Sequence, residues 1–189
     1  FIALSLRTVA AFAALGGSAF ALVWLEGQRA VVPLPREGMW SEGAPVVVVD
    51  AGHGGHDGGA VAQGVIEKNL SLDIAERLQR ELVAAGVRVV MTRREDCFLT
   101  LDERGAVAGR EGADAFVSVH LNTDGEGSGA EGIETYFAAG RGLFGRQGGG
   151  GRAGSGEEGE GFAGMVQRMV CGATRAGNRG TKERDYAVV

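Results

Sequence analysis

Beyond residue 45 the apolar positions follow two alternating patterns. Val46–Val49 is an unbroken β-branched run, which predicts a strand buried on both faces. Leu70, Ile74, Leu78 and Leu82 recur every fourth residue with charges between them. That spacing predicts a helix from about Asn69 to Ala85, with Gly86 where a helix C-cap belongs. Val87–Met91 reads as a second strand. Thr100-Leu-Asp-Glu103 has the form of a capping box and opens a second helix, to about Arg110. Ala115–Leu121 and Gly132–Phe137 read as third and fourth strands. Phe162, Met165, Val166, Met169 and Val170 share one face of a short helix over 162–173. The chain closes on Tyr186–Val189, which reads as the start of a strand. Strands alternating with helices predict an α/β fold: a three-layer sandwich whose mostly parallel central sheet is flanked by helices.

The remaining segments break this rhythm. Residues 9–25 are uncharged and largely apolar, and Arg7 precedes them. Their length lies between that of a secretory core and that of a membrane span, so residues 1–25 read as a signal peptide or membrane anchor. Residues 26–45 hold Pro33, Pro35 and Pro45 and read as a linker. The domain proper is expected over 46–189. Within it the tract 141–161 is rich in glycine, lacks apolar periodicity and is expected to be a flexible loop. The net charge of −5 excludes a typical nucleic-acid binder. Cys97 and Cys171 form no CxxC pair, and their redox state stays open.

The chemistry concentrates in DAGHGGHDGGA, residues 50–60. His53, His56 and His120 are the chain's histidines. In α/β sheets ligands gather at the C-terminal ends of strands. His53 follows the first strand, and His120 ends the third, on the face it shares with Phe116 and Ser118. Glu67 stands just before the first helix. Two histidines and one carboxylate make a common catalytic zinc shell, with a position left for water or substrate. The glycines would let the backbone turn sharply off the strand. A phosphate cradle is the competing reading, but GHGGHDGG lacks the lysine and serine of a P-loop, and Asp57 would repel phosphate. Glu67 also reads as a charge favoured at a helix start. His56 reads as a loop residue or supporting ligand, and Arg93 and Arg94 as surface or helix-contact charges.

Taken in order, DAGHGGHDGGA, the segment from IEKNLSLDIAERLQREL through MTRREDCFLTLDERGAVAG, then ADAFVSVHLN and GIETYF, resemble the zinc-dependent N-acetylmuramoyl-L-alanine amidases of the bacterial cell wall (the type 3 catalytic domain). The resemblance implies zinc (Zn2+) held by His53, Glu67 and His120. It implies hydrolysis of the amide between N-acetylmuramic acid and L-alanine, with peptidoglycan as partner, in the periplasm or cell wall. An activator protein is a further implied partner; some related amidases carry a helix that plugs the site, for which tract 141–161 has a poor composition. The family's general-base glutamate lies in a strand soon after the segment that NRGTKERDYAVV resembles, so it is expected beyond Val189. Neither Asp57 nor Glu134 matches that position. The catalytic residue is therefore left unassigned, and the fragment is expected to hydrolyse poorly. The alternatives are a non-catalytic zinc or wall-binding module and another zinc peptidase.

Overall fold

The computed structural model describes residues 2–4, 43–62, 64–121, 131–138 and 156–184. Strand β1 is Ile2–Leu4, β2 is Val46–Ala51, and a small hairpin pairs β3 (Val61–Ala62) with β4 (Val65–Ile66). Helix α1 (Glu67–Ala84), strand β5 (Arg88–Met91), helix α2 (Leu101–Glu111) and strand β6 (Ala115–His120) follow. Strand β7 (Ile133–Phe137), helix α3 (Gly156–Thr174) and strand β8 (Asn178–Glu183) complete the described elements.

Six strands form one sheet in the order β5-β2-β6-β1-β7-β8. The first four run parallel; β7 is antiparallel to β1, and β8 is parallel to β7. The β2–β6 register brings Ala51 opposite Val119, so both strands end at one rim of the sheet. His53 and His120 arrive there together. This is the predicted mostly parallel α/β architecture.

Side-chain alternation assigns the helices to faces. Val49 and Ala51 of β2 pack with Ala75 of α1 and with Val89 and Met91 of β5. Val48 packs instead with Val107, Ala108 and Ala113 at α2. α1 and α2 therefore cover opposite faces. The register carries Ala51 to Val119, Val119 to Ile2 and Ile2 to Thr135. Residues opposite one another across a ladder project to the same side. Gln167 of α3 bonds the Thr135 hydroxyl at 2.7 Å, so α3 lies on the α1 side.

The most buried row of α1 is Glu67, Ser71, Ala75 and Gln79. The leucines flank this row, and Leu72, Leu78 and Leu82 are half-buried against the core. Small and polar residues form the closest line because α1 lies against the end of β2, where Ser71 donates to the Gly52 carbonyl at 2.7 Å. α1 ends as predicted: Gly86 has φ +84°, and the Gly86 and Val87 amides return to Val83 and Leu82 in the 5→2 and 6→1 pattern of a Schellman motif. The predicted capping box is present at Thr100 and Glu103.

Four features depart from the sequence reading. α1 starts at Glu67 rather than Asn69, because the β3–β4 hairpin delivers the chain directly into the helix. α3 starts at Gly156, inside the tract expected to be a loop. Glycine disfavours a helix, but glutamates at 157, 158 and 160 suit a helix N-terminus, and packing on β7 supplies the rest. β8 lacks any apolar alternation, so its sequence gives no strand signal; it is a polar edge strand held by β7. Ile2–Leu4, grouped by sequence with the signal or anchor, form β1 inside the sheet. Residues 9–25, most of the linker, residues 141–155 of the tract and Tyr186–Val189 lie outside the described residues. Among the described residues no helix is long and apolar enough to cross a membrane.

Candidate metal centre

Three side chains converge at the rim. His53 Nε2 lies 3.0 Å from His120 Nδ1 and 3.0 Å from Glu67 Oε1, and His120 Nδ1 lies 3.1 Å from Glu67 Oε1. The loop after β2 supplies His53, the first residue of α1 supplies Glu67, and the last residue of β6 supplies His120. The sequence reading named these three, and among the described residues they are the cluster whose donor atoms could share one metal ion.

His53 and Glu67 are held from behind. His53 Nδ1 bonds Asp57 Oδ2 at 2.9 Å, which turns Nε2 toward the centre. Asp57 is fixed in turn by the Gly59 amide. The Ala60 amide donates to Glu67 Oε2 at 2.8 Å and the Leu121 amide to Oε1 at 2.7 Å. The two imidazoles meet edge to face, with centroids 4.6 Å apart.

The glycines have a steric role. A Cβ on Gly52 would come within 2.4 Å of the His120 ring, and one on Gly59 within 2.6 Å of His53. Gly54, at φ +134°, passes so close to the Cys97 carbonyl that a Cβ would sit 2.1 Å from its oxygen. His53 itself has φ +60°, a region that non-glycine residues enter rarely and mostly at constrained sites.

Electrostatics follow from this packing. The Glu67 hydrogen bond, against the opposing effect of burial, raises the His53 pKa above the usual histidine value, and Asp57 adds to the rise. Burial pushes the Glu67 carboxyl up, but bonds from His120, His53 and the two amides outweigh it and hold the group well below the usual carboxylate range.

Two arginines, which sequence reasoning did not assign to the site, set the path of the loop. Arg93, only 3% exposed, donates to the carbonyls of Ala51, Gly52 and Lys68 at 2.8–2.9 Å. This corrects the reading of Arg93 as a surface charge: strand β5 ends at the same rim and turns the side chain into the loop, where the Lys68 carbonyl and Ser71 Oγ also give it a contact with α1. Arg94 does make the expected helix contact, with Gln79 of α1. Arg104 of α2 donates to Asp50 Oδ1 and the Ala51 carbonyl at 2.7 Å and to the His53 carbonyl at 2.9 Å. Asp50 is fully buried and also accepts from Thr92 and Ser118. The position of Arg93 just past a strand end was the available signal.

His56 is not part of the cluster; its ring lies against Phe98, with centroids 4.2 Å apart. Cys97 and Cys171 are free thiols. Glu134 is buried on β7 and accepts from Lys182 at 2.5 Å, from Arg179 at 3.0 Å and from the Tyr136 hydroxyl. Burial pushes its carboxyl up, but Lys182, Tyr136 and Arg179 outweigh this and lower it from 4.5 to about 2. A depressed folded-state pKa contributes stability that is complete above the unfolded value and fades as pH falls. Urea unfolding followed between pH 4.5 and about 2 should therefore depend less steeply on pH in Glu134→Gln than in the parent. An unchanged slope would mean that the Glu134 contacts do not hold in solution.

The family described as N-acetylmuramoyl-L-alanine amidase (Amidase_3) matches residues 47–189. The chain belongs to this family. Among its relatives, the uncharacterized protein YqiI of Bacillus subtilis strain 168 is 38% identical over 143 residues, covering 76% of this chain and 62% of YqiI. The N-acetylmuramoyl-L-alanine amidase LytC of the same organism is 41% identical over 91 residues, covering 48% of this chain and 18% of LytC. The chain thus spans less than two thirds of either relative. Among solved structures, an N-acetylmuramoyl-L-alanine amidase of Clostridium difficile 630 superposes with a TM-score of 0.66 at 31% identity, over 78% of this chain and 73% of that one. The catalytic domain of the amidase CwlV from Bacillus (Paenibacillus) polymyxa gives 0.63 at 32% identity, over 77% and 73%.

Proposed function

We propose that this chain is the zinc-bearing unit of an N-acetylmuramoyl-L-alanine amidase and acts on peptidoglycan at the amide between N-acetylmuramic acid and L-alanine. One observation carries the reading. The nearly equilateral triangle of His53 Nε2, His120 Nδ1 and Glu67 Oε1, with edges of 3.0–3.1 Å, is close to the separation of about 3.3 Å between ligands of a tetrahedral zinc. Two imidazole nitrogens and one carboxylate suit zinc, and the carboxylate–histidine pair Asp57–His53 is the support that zinc-binding histidines usually have. Family membership and the activity in the relatives' names agree with this reading.

When bound, zinc would polarise the scissile carbonyl and acidify water. The chain's own residues position that chemistry. Asp57 orients His53, the Ala60 and Leu121 amides fix both oxygens of Glu67, and Arg93 and Arg104 hold the loop between β2 and α1. Among the described residues no further carboxylate is both beside the triad and unengaged. Asp57 is committed to His53, and Glu134 to Arg179 and Lys182. We therefore place the general base outside the described residues. That observation also sustains a second reading, a zinc- and wall-binding module without hydrolysis. Because the substrate lies outside the cytoplasmic membrane, the proposal puts the protein there too.

The test has two parts. Metal analysis of the purified chain should give one zinc per molecule. The full natural gene product, incubated with purified peptidoglycan, should release intact stem peptides with a free L-alanine amino group, and chelation followed by zinc should stop and restore the release. Zinc without release from the full protein would select the module. Equal release by this chain and the full protein would remove the idea of a base elsewhere. Asp57→Ala should weaken zinc binding about 10–100-fold by calorimetry; an unchanged affinity would mean that Asp57 does not orient His53.

A further inference from the structure

We infer that His56 and Phe98, two stacked rings at the rim that carries the metal centre, form a shelf on which a pyranose ring of the substrate's glycan strand lies. The inference rests on the amidase reading above and names the part of the substrate that this rim holds beside the scissile amide.

The pair stands where the metal loop turns. Gly54 and Asp57 exchange backbone hydrogen bonds of 2.9 and 3.1 Å. His56 therefore sits in a tight turn between His53 and Asp57, the residue that orients the His53 ring. It follows His53 by three residues, which limits the separation of the two backbones to about 10 Å. The β2–β5 register pairs Val49 with Met91, so the segment after β5, which carries Phe98, leaves the sheet at the same rim. In the triad the side chains of His53 and His120 are 22% and 17% exposed, and that of Glu67 only 3%. The centre thus opens on its histidine side, and the turn that bears His56 begins at one of those histidines.

The rings are held before any ligand arrives. The Gly55 amide donates to Asp96 Oδ1 at 2.7 Å, and the Gly55 carbonyl accepts from Lys68 Nζ at 2.8 Å. Lys68 Nζ also bonds Asp96 Oδ2 at 2.6 Å, so one ion pair grips both backbone groups of the turn. The two loops then approach so closely that a Cβ on Gly55 would lie 2.8 Å from the Phe98 nitrogen. The planes of His56 and Phe98 are tilted by 35°. Holding both loops in this way lowers the ordering cost of binding. His56 is exposed, and Phe98 is 41% exposed. Phe98 belongs to neither of the core clusters on the two sides of β2. Folding gains little from its ring, and the apolar surface it leaves in water is available to a ligand.

The substrate's chemistry selects the occupant. On the amine side of the scissile amide come the methyl of L-alanine and then residues with carboxylates. On the acyl side three bonds join the carbonyl carbon to the pyranose ring of N-acetylmuramic acid. Each is about 1.5 Å long, so a carbonyl at the triad keeps that sugar beside the centre and within reach of the turn. A pyranose presents broad faces of C–H bonds, which bury apolar area against an aromatic ring. The shelf would then seat the glycan, whereas the triad does the chemistry.

The experiment compares two probes on the zinc-loaded chain by titration calorimetry. They are N-acetylmuramoyl-L-alanyl-D-isoglutamine and D-lactoyl-L-alanyl-D-isoglutamine, which keeps the amide and the peptide and lacks the sugar. The parent should bind the muramoyl probe about tenfold more tightly, the worth of one stacked and buried ring face. Phe98→Ala and His56→Ala should each reduce or erase that preference, with the affinities for zinc and for the lactoyl probe unchanged. Phe98→Trp should keep it. Equal binding of both probes by the parent would overturn the shelf and leave the amidase reading standing. A preference that survives both alanine variants would place the sugar elsewhere and overturn it as well. Equal losses for both probes, together with weaker zinc binding, would make the pair a mere support of the metal loop and would also overturn the shelf. Binding of neither probe by the parent would count against the shelf and the amidase reading together.

Discussion

Glu67→Gln should abolish zinc binding at micromolar metal, a larger loss than the about 10–100-fold expected for a supporting residue. The substitution keeps the shape of the side chain and removes its charge. It also breaks a two-donor arrangement. In the parent both oxygens accept backbone amides, Ala60 on Oε2 and Leu121 on Oε1. Glutamine offers one oxygen, so one buried amide would face another donor. The metal-free variant should therefore also lose about 1–3 kcal/mol of stability. Calorimetry with zinc reads the first effect and urea unfolding the second. Undiminished zinc affinity would show that the two histidines suffice and would sink the three-ligand centre. In the parent, zinc affinity should fall as pH drops through the raised His53 pKa, because a proton then competes with the metal for Nε2.

Arg104→Ala should cost about 3–5 kcal/mol, as removal of one partner from a buried ion pair does. Asp50 is fully buried and would keep only its two hydroxyl donors, Thr92 and Ser118. The carbonyls of Ala51 and His53 would lose a donor at the same time. Urea unfolding measures the loss, which should be milder in the double variant Asp50→Asn/Arg104→Met, where no charge is stranded. Single and double variants of equal stability would argue that the pair contributes little beyond packing.

Much of the candidate site could be read from the chain because its three side chains stand at element ends that the apolar pattern marks. Val46–Val49 locates the end of β2 and hence His53, and the run before His120 locates the end of β6. Thr100 and Glu103 announce α2 because capping is a local interaction. The support around the ligands was less legible. No local pattern marks Arg93 and Arg104 as buried, since their burial depends on carbonyls supplied by a distant loop. β8 is a strand because β7 is beside it, not because of any pattern in NRGTKE. The start of α3 at Gly156 runs against local propensity and depends on packing. The neighbourhood of Glu134 required the register of β1, which no local signal records.

That same short strand has a mechanical consequence. The triad belongs wholly to the β5-β2-β6 side of the sheet, whereas β7, β8 and α3 form the other side, and within the sheet the two meet through the ladder pairs of Ile2, Ala3 and Leu4. A seam this narrow should be the first line along which the sheet parts. Amide exchange across β7 and β8 would then outpace exchange in β2 and β6, and the metal centre would outlast the platform beside it.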